Sequence, residues 1–361
     1  MCEIQGIRIL DSQNKLLYVP LSRCNHPMPS DVVEYHLKNL PLCEHHRLMA
    51  QAESVESAPT EVQREELAKA YGIKGLPLLS ALGSLRFPQS FLFDFMHLIW
   101  ENLILNLINF WSGCFKGLDE GQQYVLDPHI WQDVGATSAE ATKTIPSSFG
   151  ASIPNPATDC SSFTSSMQSV WSLFIAPTVL QRRFPQECYY NHFCSLIRIL
   201  NLCLQFEISE EEIKEIESGI YQWVVDYERC VPPFVSKKLK ADSIHACSLY
   251  YQHNPEQLPA CPLTIHALLH ILDQIRWMGP CWTTWAFPIE RQSGCFQCSI
   301  QSQRNLYVSM DRHLTDLSQL QQIKLFYNLT DEQLRKPPKY PSLHMKRLKN
   351  CKLHFGAFTL N

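Results

Sequence analysis

The sequence predicts a predominantly helical α+β fold, and three observations carry that prediction. From about 163 to 229 the pattern is helical throughout, with apolar residues recurring on one face. Residues 88–112 read as an extended lead-in closed by Asp94, then a long helix apolar around most of its circumference. Two short apolar runs, 3–10 and 15–20, joined by Asp11-Ser-Gln-Asn14, suggest a β-hairpin at or near a sheet.

The elements follow in order. Residues 21–60 are rich in Pro, His and small polar residues and read mostly as loop, with room for a short helix at 31–39. Thr60-x-x-Gln63 is a capping box that opens a helix, and Gly72 stops it. After the Asp94 helix, residues 135–162 form a Ser/Thr/Pro/Gly-rich connection expected on the surface. Tyr189–Phe206 is apolar on nearly all sides and is expected to be central. Ser209-x-x-Glu212 caps the next helix, in which Ile213, Ile216, Ile220, Trp223, Val224 and Tyr227 make one buried stripe. Acidic residues crowd its first turn, as the helix dipole favours. Leu263–Ile275 is expected to be one helix. Leu314, Leu317, Leu320 and Ile323, at three-residue spacing, suggest a packed helix near the end. The organisation expected is a hairpin and loop region (1–60), a core segment with the Asp94 helix (61–162), a helical insertion (163–255), a core segment with Glu290 (256–330) and a basic tail (331–361).

A chain of 361 residues can bury a substantial core in one large domain or two. The 45% hydrophobic and 18% charged composition is that of a globular protein. A net charge of −4 gives no support to nucleic-acid binding by the whole chain, but the charge is uneven. After Glu332 there are no acids, whereas Arg335, Lys336, Lys339, Lys346, Arg347, Lys349 and Lys352 accumulate. Such a tail is either a solvated terminus or a phosphate-binding arm. Fifteen cysteines without scaffold spacing, and a start lacking a basic-then-apolar signal, are read as reduced thiols in an intracellular protein. The longest strongly apolar segment, Glu101 to Lys116, contains three Asn and falls short of the roughly 18–20 residues a membrane span needs. No membrane association is expected.

The Asp94 helix carries the sharpest chemical signal. At about 100° per residue, Asp94, His97 and Glu101 fall within roughly 60° of one another. Asn102, Asn106 and Asn109 continue the polar strip. On so apolar a helix these groups must face a polar cavity, a cation or a partner, because an unpaired buried charge is costly. A second carboxylate, Glu290, follows the aromatic run Trp282, Trp285, Phe287 and Pro288 at the start of a short helix, with Arg291 beside it. It could bind a hard cation or pair with an arginine, and the ion pair is the commoner use of such a group.

Other constellations are weaker. His266 and His270, at i and i+4, could share a metal, but Ala267 stands where the peptidase motif needs Glu, and packing within a core is the preferred reading. Cys295-Phe-Gln-Cys298 has zinc-knuckle spacing without a second pair. Cys24, His26, Cys43, His45 and His46 match no standard site. There is no P-loop, no Gly-x-Gly-x-x-Gly and no Gly-x-Ser-x-Gly, which disfavours P-loop hydrolysis and ordinary esterase chemistry.

Several longer motifs together resemble a known family. Gly72-Ile-Lys-Gly-Leu-Pro-Leu-Leu, Phe87-Pro-Gln-Ser-Phe, Asp94-Phe-Met-His97 with Glu101-Asn102, Thr144-Ile-Pro-Ser-Ser-Phe-Gly150, Cys261-Pro-Leu-Thr-Ile-His-Ala-Leu-Leu-His270 and Trp285-Ala-Phe-Pro-Ile-Glu-Arg291 are similar to the catalytic region of CACTA-type (En/Spm-like) DNA transposases. The similarity spans nearly everything up to about residue 330.

The resemblance implies a partial RNase H-like catalytic core with a large helical insertion between the second and third acidic residues. Asp94 would be the second metal-binding acid and Glu290 the third, with His97, Glu101 and Arg291 around them. The implied cofactor is Mg²⁺ (or Mn²⁺), whose hard character suits oxygen ligands. Two such ions about 4 Å apart can activate the attacking oxygen and stabilise the leaving oxygen of a DNA phosphodiester. The family's first aspartate lies upstream of a cysteine-rich segment whose end Met1-Cys2-Glu-Ile-Gln-Gly resembles, so a truncated transposase, inactive or impaired in strand cleavage, is expected. Residues 230–248 look foreign to the family pattern. DNA, self-association or an intact transposase are the implied partners, and the nucleus the implied location. The alternative is a non-catalytic DNA- or subunit-binding helical module using the basic tail. A mononuclear metallohydrolase built on His266 and His270 is a distant third.

Overall fold

The computed structural model describes residues 6–10, 15–21, 38–119, 121–146, 149–150, 152–228, 249–251, 255–300 and 305–330. The proposed short helix at 31–39 falls mostly outside them. So do the Cys24 and His26 candidates, the segment 230–248 and the basic tail, including Arg335, Lys336, Lys339, Lys346, Arg347, Lys349 and Lys352. The fold is predominantly helical. It divides into two compact units, one up to Trp285 and one from Ala286.

The expected hairpin is present: β1 (Ile7–Leu10) pairs antiparallel with β2 (Lys15–Tyr18), Ile7 opposite Tyr18. The chain leaving β2 is fastened to distant elements. Val19 N–H donates to the Cys261 carbonyl at 2.9 Å, and Leu21 N–H donates to the buried Glu228 carboxylate at 2.8 Å. Tyr18, Tyr251, Leu258 and Cys261 close over this joint as a small buried cluster.

One departure from expectation follows at once. Within 21–60, read mostly as loop, lies α1 (His45–Glu56), whose Ala52 and Val55 are fully buried. Two buried positions three apart leave too faint a stripe for periodicity to detect. The next helix, α2 (Glu61–Tyr71), has the predicted ends: Thr60 Oγ1 accepts from Gln63 N–H at 3.3 Å, and Gly72 closes the helix in the left-handed region at φ 70°.

The apolar segment behind Asp94 is helical and central. Its first part, Met96–Ile104, is a π-helix, and α3 (Leu105–Trp111) continues it. Phe95, Met96, Ile99, Trp100, Leu103, Ile104, Phe110 and Trp111 are almost wholly enclosed, as a helix apolar on nearly all sides requires.

Residues 135–162, expected as surface loop, are only partly so. Asp127 caps α4 (Pro128–Ala141) by accepting from His129 N–H at 2.8 Å, with Pro128 in the first turn. Helix α4 then runs into the supposed connection and buries Val134, Gly135 and Ser138. A Cβ at Gly135 would lie 2.1 Å from Asn155 Oδ1 and 2.7 Å from the Ala157 Cβ, so the small residues that looked like loop composition are packing residues.

From 163 to 228 the structure is helical as predicted. Helix α5 (Ser165–Val170) passes through a second π segment, Trp171–Ile175, into α6 (Ala176–Val179). Helix α7 (Glu187–Cys203) lies against α8 (Glu210–Glu228). All six predicted stripe residues of α8 are buried. Its capping box is reciprocal: Glu212 N–H donates to Ser209 Oγ at 3.3 Å, and Ser209 N–H donates to the Glu212 carboxylate at 2.7 Å. That backbone donor holds the Glu212 carboxyl below its ordinary pKa.

The single helix expected at Leu263–Ile275 is two, α9 (Leu263–Leu268) and α10 (Ile271–Met278). Leu269 N–H and His270 N–H reach back three residues, to His266 and Ala267, each at 3.1 Å. This tightened turn separates the two helices, and buried apolar residues continue on both sides of it, Ile265 and Leu268 before and Ile271, Leu272 and Ile275 after.

The second unit holds α11 (Phe287–Ser299) and α12 (Leu306–Tyr327). Helix α12 forms, but the expectation that it packs is corrected. None of its residues is buried, and Leu314, Leu317, Leu320 and Ile323 remain 39%, 40%, 39% and 45% exposed. Steps of three fall about 60° short of a full turn at ~100° per residue, so four such residues wind halfway round the helix. No helix among the described residues is long and apolar enough to cross a membrane.

Candidate functional site

Asp94 does two things at the head of the π segment. Its Oδ2 accepts from His97 N–H at 2.9 Å, which caps the helix, and the same oxygen touches His97 Nδ1. One turn on, His97 Nε2 lies 3.7 Å from Glu101 Oε2. The imidazole is therefore held between two carboxylates, one at each ring nitrogen. All three side chains are part-exposed, at 22% for Asp94, 45% for His97 and 42% for Glu101. Glu101 also accepts from the Ser165 hydroxyl on α5.

The predicted strip is thus real, and its chemistry differs from a convergent cation site. The ring nitrogens face different directions, so the carboxylates they engage sit on opposite edges of the imidazole. A shared metal needs its ligands aimed at one point. Among the described residues no group of three or more His, Cys, Asp or Glu is placed to hold a metal ion. Asn102, further along the strip, donates to the His97 carbonyl at 2.6 Å, while Asn106 and Asn109 are half-buried.

A second imidazole–carboxylate cluster lies close by. Helix α9 packs on the π segment, and the ring of Phe93, next to Asp94, stacks on His270 with centroids 6.5 Å apart. His270 is 1% and His266 4% exposed, and their Nε2 atoms are 3.1 Å apart. Asp273 Oδ2 meets the other nitrogen of His270 at 3.2 Å. Burial, then the neighbouring His270, pushes the His266 pKa down to about 3. The core reading of this pair agrees with the geometry. Asp273 was missed, although His270-x-x-Asp273 places it one turn away and could have been found from spacing. Nothing in the sequence signals the Ser165–Glu101 contact, which depends on how two helices pack.

Glu290 occupies the first turn of α11, as expected, with Pro288 at the helix start. Glu290 and Arg291 are exposed, and they belong to the second unit, whereas Asp94, His97 and Glu101 belong to the first. Cys295 is exposed on the same helix. His45, one of the loop-ligand candidates, instead receives the Phe87 N–H at Nδ1, 2.9 Å, and anchors α1 to the segment before Asp94.

No known protein family, no curated protein and no solved structure matches this chain.

Proposed function

We propose that this chain is a helical module derived from a CACTA-type transposase, impaired in unaided strand cleavage, that works by binding DNA in the manner of its parent family. The ancestry rests on the motif resemblance and on the spacing from Asp94 to Glu290, which leaves room for a helical insertion within a partial RNase H-like core. The observation that carries the impaired reading is the engagement of Asp94. Its Oδ2 serves the His97 backbone and ring, so ligation of Mg²⁺ or Mn²⁺ with Glu290 would compete with a helix cap. On this reading the nucleus is the site of action and the basic tail supplies phosphate contacts.

The test is incubation of the full chain with supercoiled plasmid and Mg²⁺ or Mn²⁺. The expected result is DNA retention that weakens steeply with salt, without nicking. A metal-dependent nick abolished by both Asp94→Asn and Glu290→Gln would overturn the impaired reading and establish a working acidic pair. Absence of any retention at low salt would overturn the binding reading.

A further inference from the structure

Among the described residues of the second unit, 286–300 and 305–330, not one is buried, although α11 and α12 pack on each other. Helix α12 has 22 residues. A helix in a protein draws most of its stability from covering an apolar face, and propensity alone leaves it marginal. Two helices by themselves enclose little, and association with another chain is a usual remedy at that size.

The uncovered side chains of α12 share one face. At about 100° per residue, Tyr307, Leu314, Leu317, Leu320, Leu325 and Tyr327 all lie within about 80° of the Leu317 direction. Tyr307, Leu325 and Tyr327 are 79%, 75% and 66% exposed. The far side carries Arg312, Thr315, Gln319 and Gln322, with Val308 and Phe326 towards the two ends. Taking about 200 Å² for a tyrosine and about 100 Å² for a leucine, the Leu317 face leaves roughly 500 Å² of apolar surface open. Two such faces together reach the roughly 1,000 Å² at which specific interfaces begin. Charge sets the direction of pairing. Asp311, Arg312 and Asp316 leave the first half of α12 net negative, whereas the only Asp, Glu, Lys or Arg of the second half is Lys324. Antiparallel copies lay each half against its opposite, and parallel copies would lay like against like.

We propose that α12 is a self-association helix, through which two copies of this chain pair antiparallel on the face centred on Leu317. Leu317 lies at the middle of α12, so the two copies bring their central leucines together and set Tyr307 of each beside the last turn of the other. Lys324 of each copy then lies along the turn that carries the partner's Asp311. A two-fold pairing uses the same patch on both copies, so it closes on itself and does not propagate into filaments. This surface stands independently of the transposase reading.

The test combines sedimentation velocity with hydrogen exchange on the full chain. The expected result is a reversible monomer–dimer equilibrium between about 1 and 100 μM, with the amides of Leu306–Tyr327 losing protection on dilution in step with dissociation. Leu317→Lys combined with Leu320→Lys should weaken association by about 100-fold or more, whereas Gln319→Lys on the far side should leave it unchanged. Lys324→Glu should weaken it by about 3- to 5-fold, and no weakening there would overturn the antiparallel order. A chain that stays monomeric up to the top of that range would overturn the proposal. So would a dimer that survives the double substitution, or α12 amides equally protected at every concentration, which would show the helix covered by its own chain. The dilution series is made on the unsubstituted chain, so poor folding of a variant leaves it decisive.

Discussion

His192 and Trp223 bind each other twice. The Trp223 indole N–H donates to the His192 backbone carbonyl at 3.1 Å, and His192 Nε2 donates to the Trp223 carbonyl at 3.0 Å. Their rings stack with centroids 4.3 Å apart. One residue sits on α7 and the other on α8, so this exchange fixes the offset of the two helices. The remaining ring nitrogen, Nδ1, is buried without a hydrogen-bond partner.

That geometry predicts acid sensitivity. Burial pushes the His192 pKa down to about 4, against roughly 6.5 for an unperturbed histidine. The unfolded chain takes up the proton first on acidification. The stabilising difference is therefore complete above pH ~6.5 and is lost as pH falls towards about 4, by roughly 3 kcal/mol. His266, pushed down to about 3, works in the same direction over a slightly wider window. Denaturant midpoints measured from pH 7.5 to 4 should fall. His192→Gln should be less stable at pH 7.5 but show a shallower decline, and parallel declines in the two proteins would refute the assignment.

Gly219 is predicted to resist replacement by alanine despite its place within a helix. A Cβ there would lie 2.8 Å from Ile199 Cγ1 and 3.1 Å from its Cδ1. The gain in helix propensity, about 1 kcal/mol, is opposed by overpacking of about 1–3 kcal/mol at a stiff, β-branched neighbour. Gly219→Ala should lower stability by about 1 kcal/mol. Ile199→Val in the same chain should recover part of it, and strict additivity in the double-mutant cycle would count against the contact.

Ser209→Ala removes the side-chain half of the α8 capping box and leaves the Glu212 N–H without that acceptor. A loss of about 1 kcal/mol is expected by chemical denaturation. Ser209→Asp should retain most of the stability, because its carboxylate can accept the same bond beside the positive end of the helix.

Asp94→Ala and Asp94→Asn should separate if this residue acts as a cap. Alanine abolishes the bond from His97 N–H, with an expected cost of about 1 kcal/mol, while asparagine keeps an oxygen in place. Equal destabilisation by both would show that the carboxylate's charge towards His97, and not the cap, is what matters. Urea midpoints of the two variants at pH 7.5 give the answer.

Much of this fold could be read from short stretches. The Thr60 and Ser209 boxes, the Gly72 stop, the α8 stripe and the β1–β2 hairpin each complete their signal within a turn or two of chain. Tertiary context has little power to reverse such signals. The polar strip of Asp94, His97 and Glu101 was legible for the same reason. Helices α1 and α4 were obscured because α1 buries only Ala52 and Val55, and the part of α4 beyond Val134 buries only Gly135 and Ser138, so their composition imitates loop.

The amino-acid sequence by itself determined a mainly helical chain with one enclosed helix whose polar edge gathers two carboxylates and an imidazole. Only the tertiary structure decided what that edge does. The π turn at Met96–Ile104 and the three-residue turn at Leu269–His270 differ from an α-helix by a single hydrogen-bond offset, which no residue pattern here specifies. Those offsets set where each ring nitrogen points. They place Asp94 and Glu101 on opposite edges of His97 and bring His270 under Phe93. Direction, unlike spacing, is settled only when distant surfaces pack.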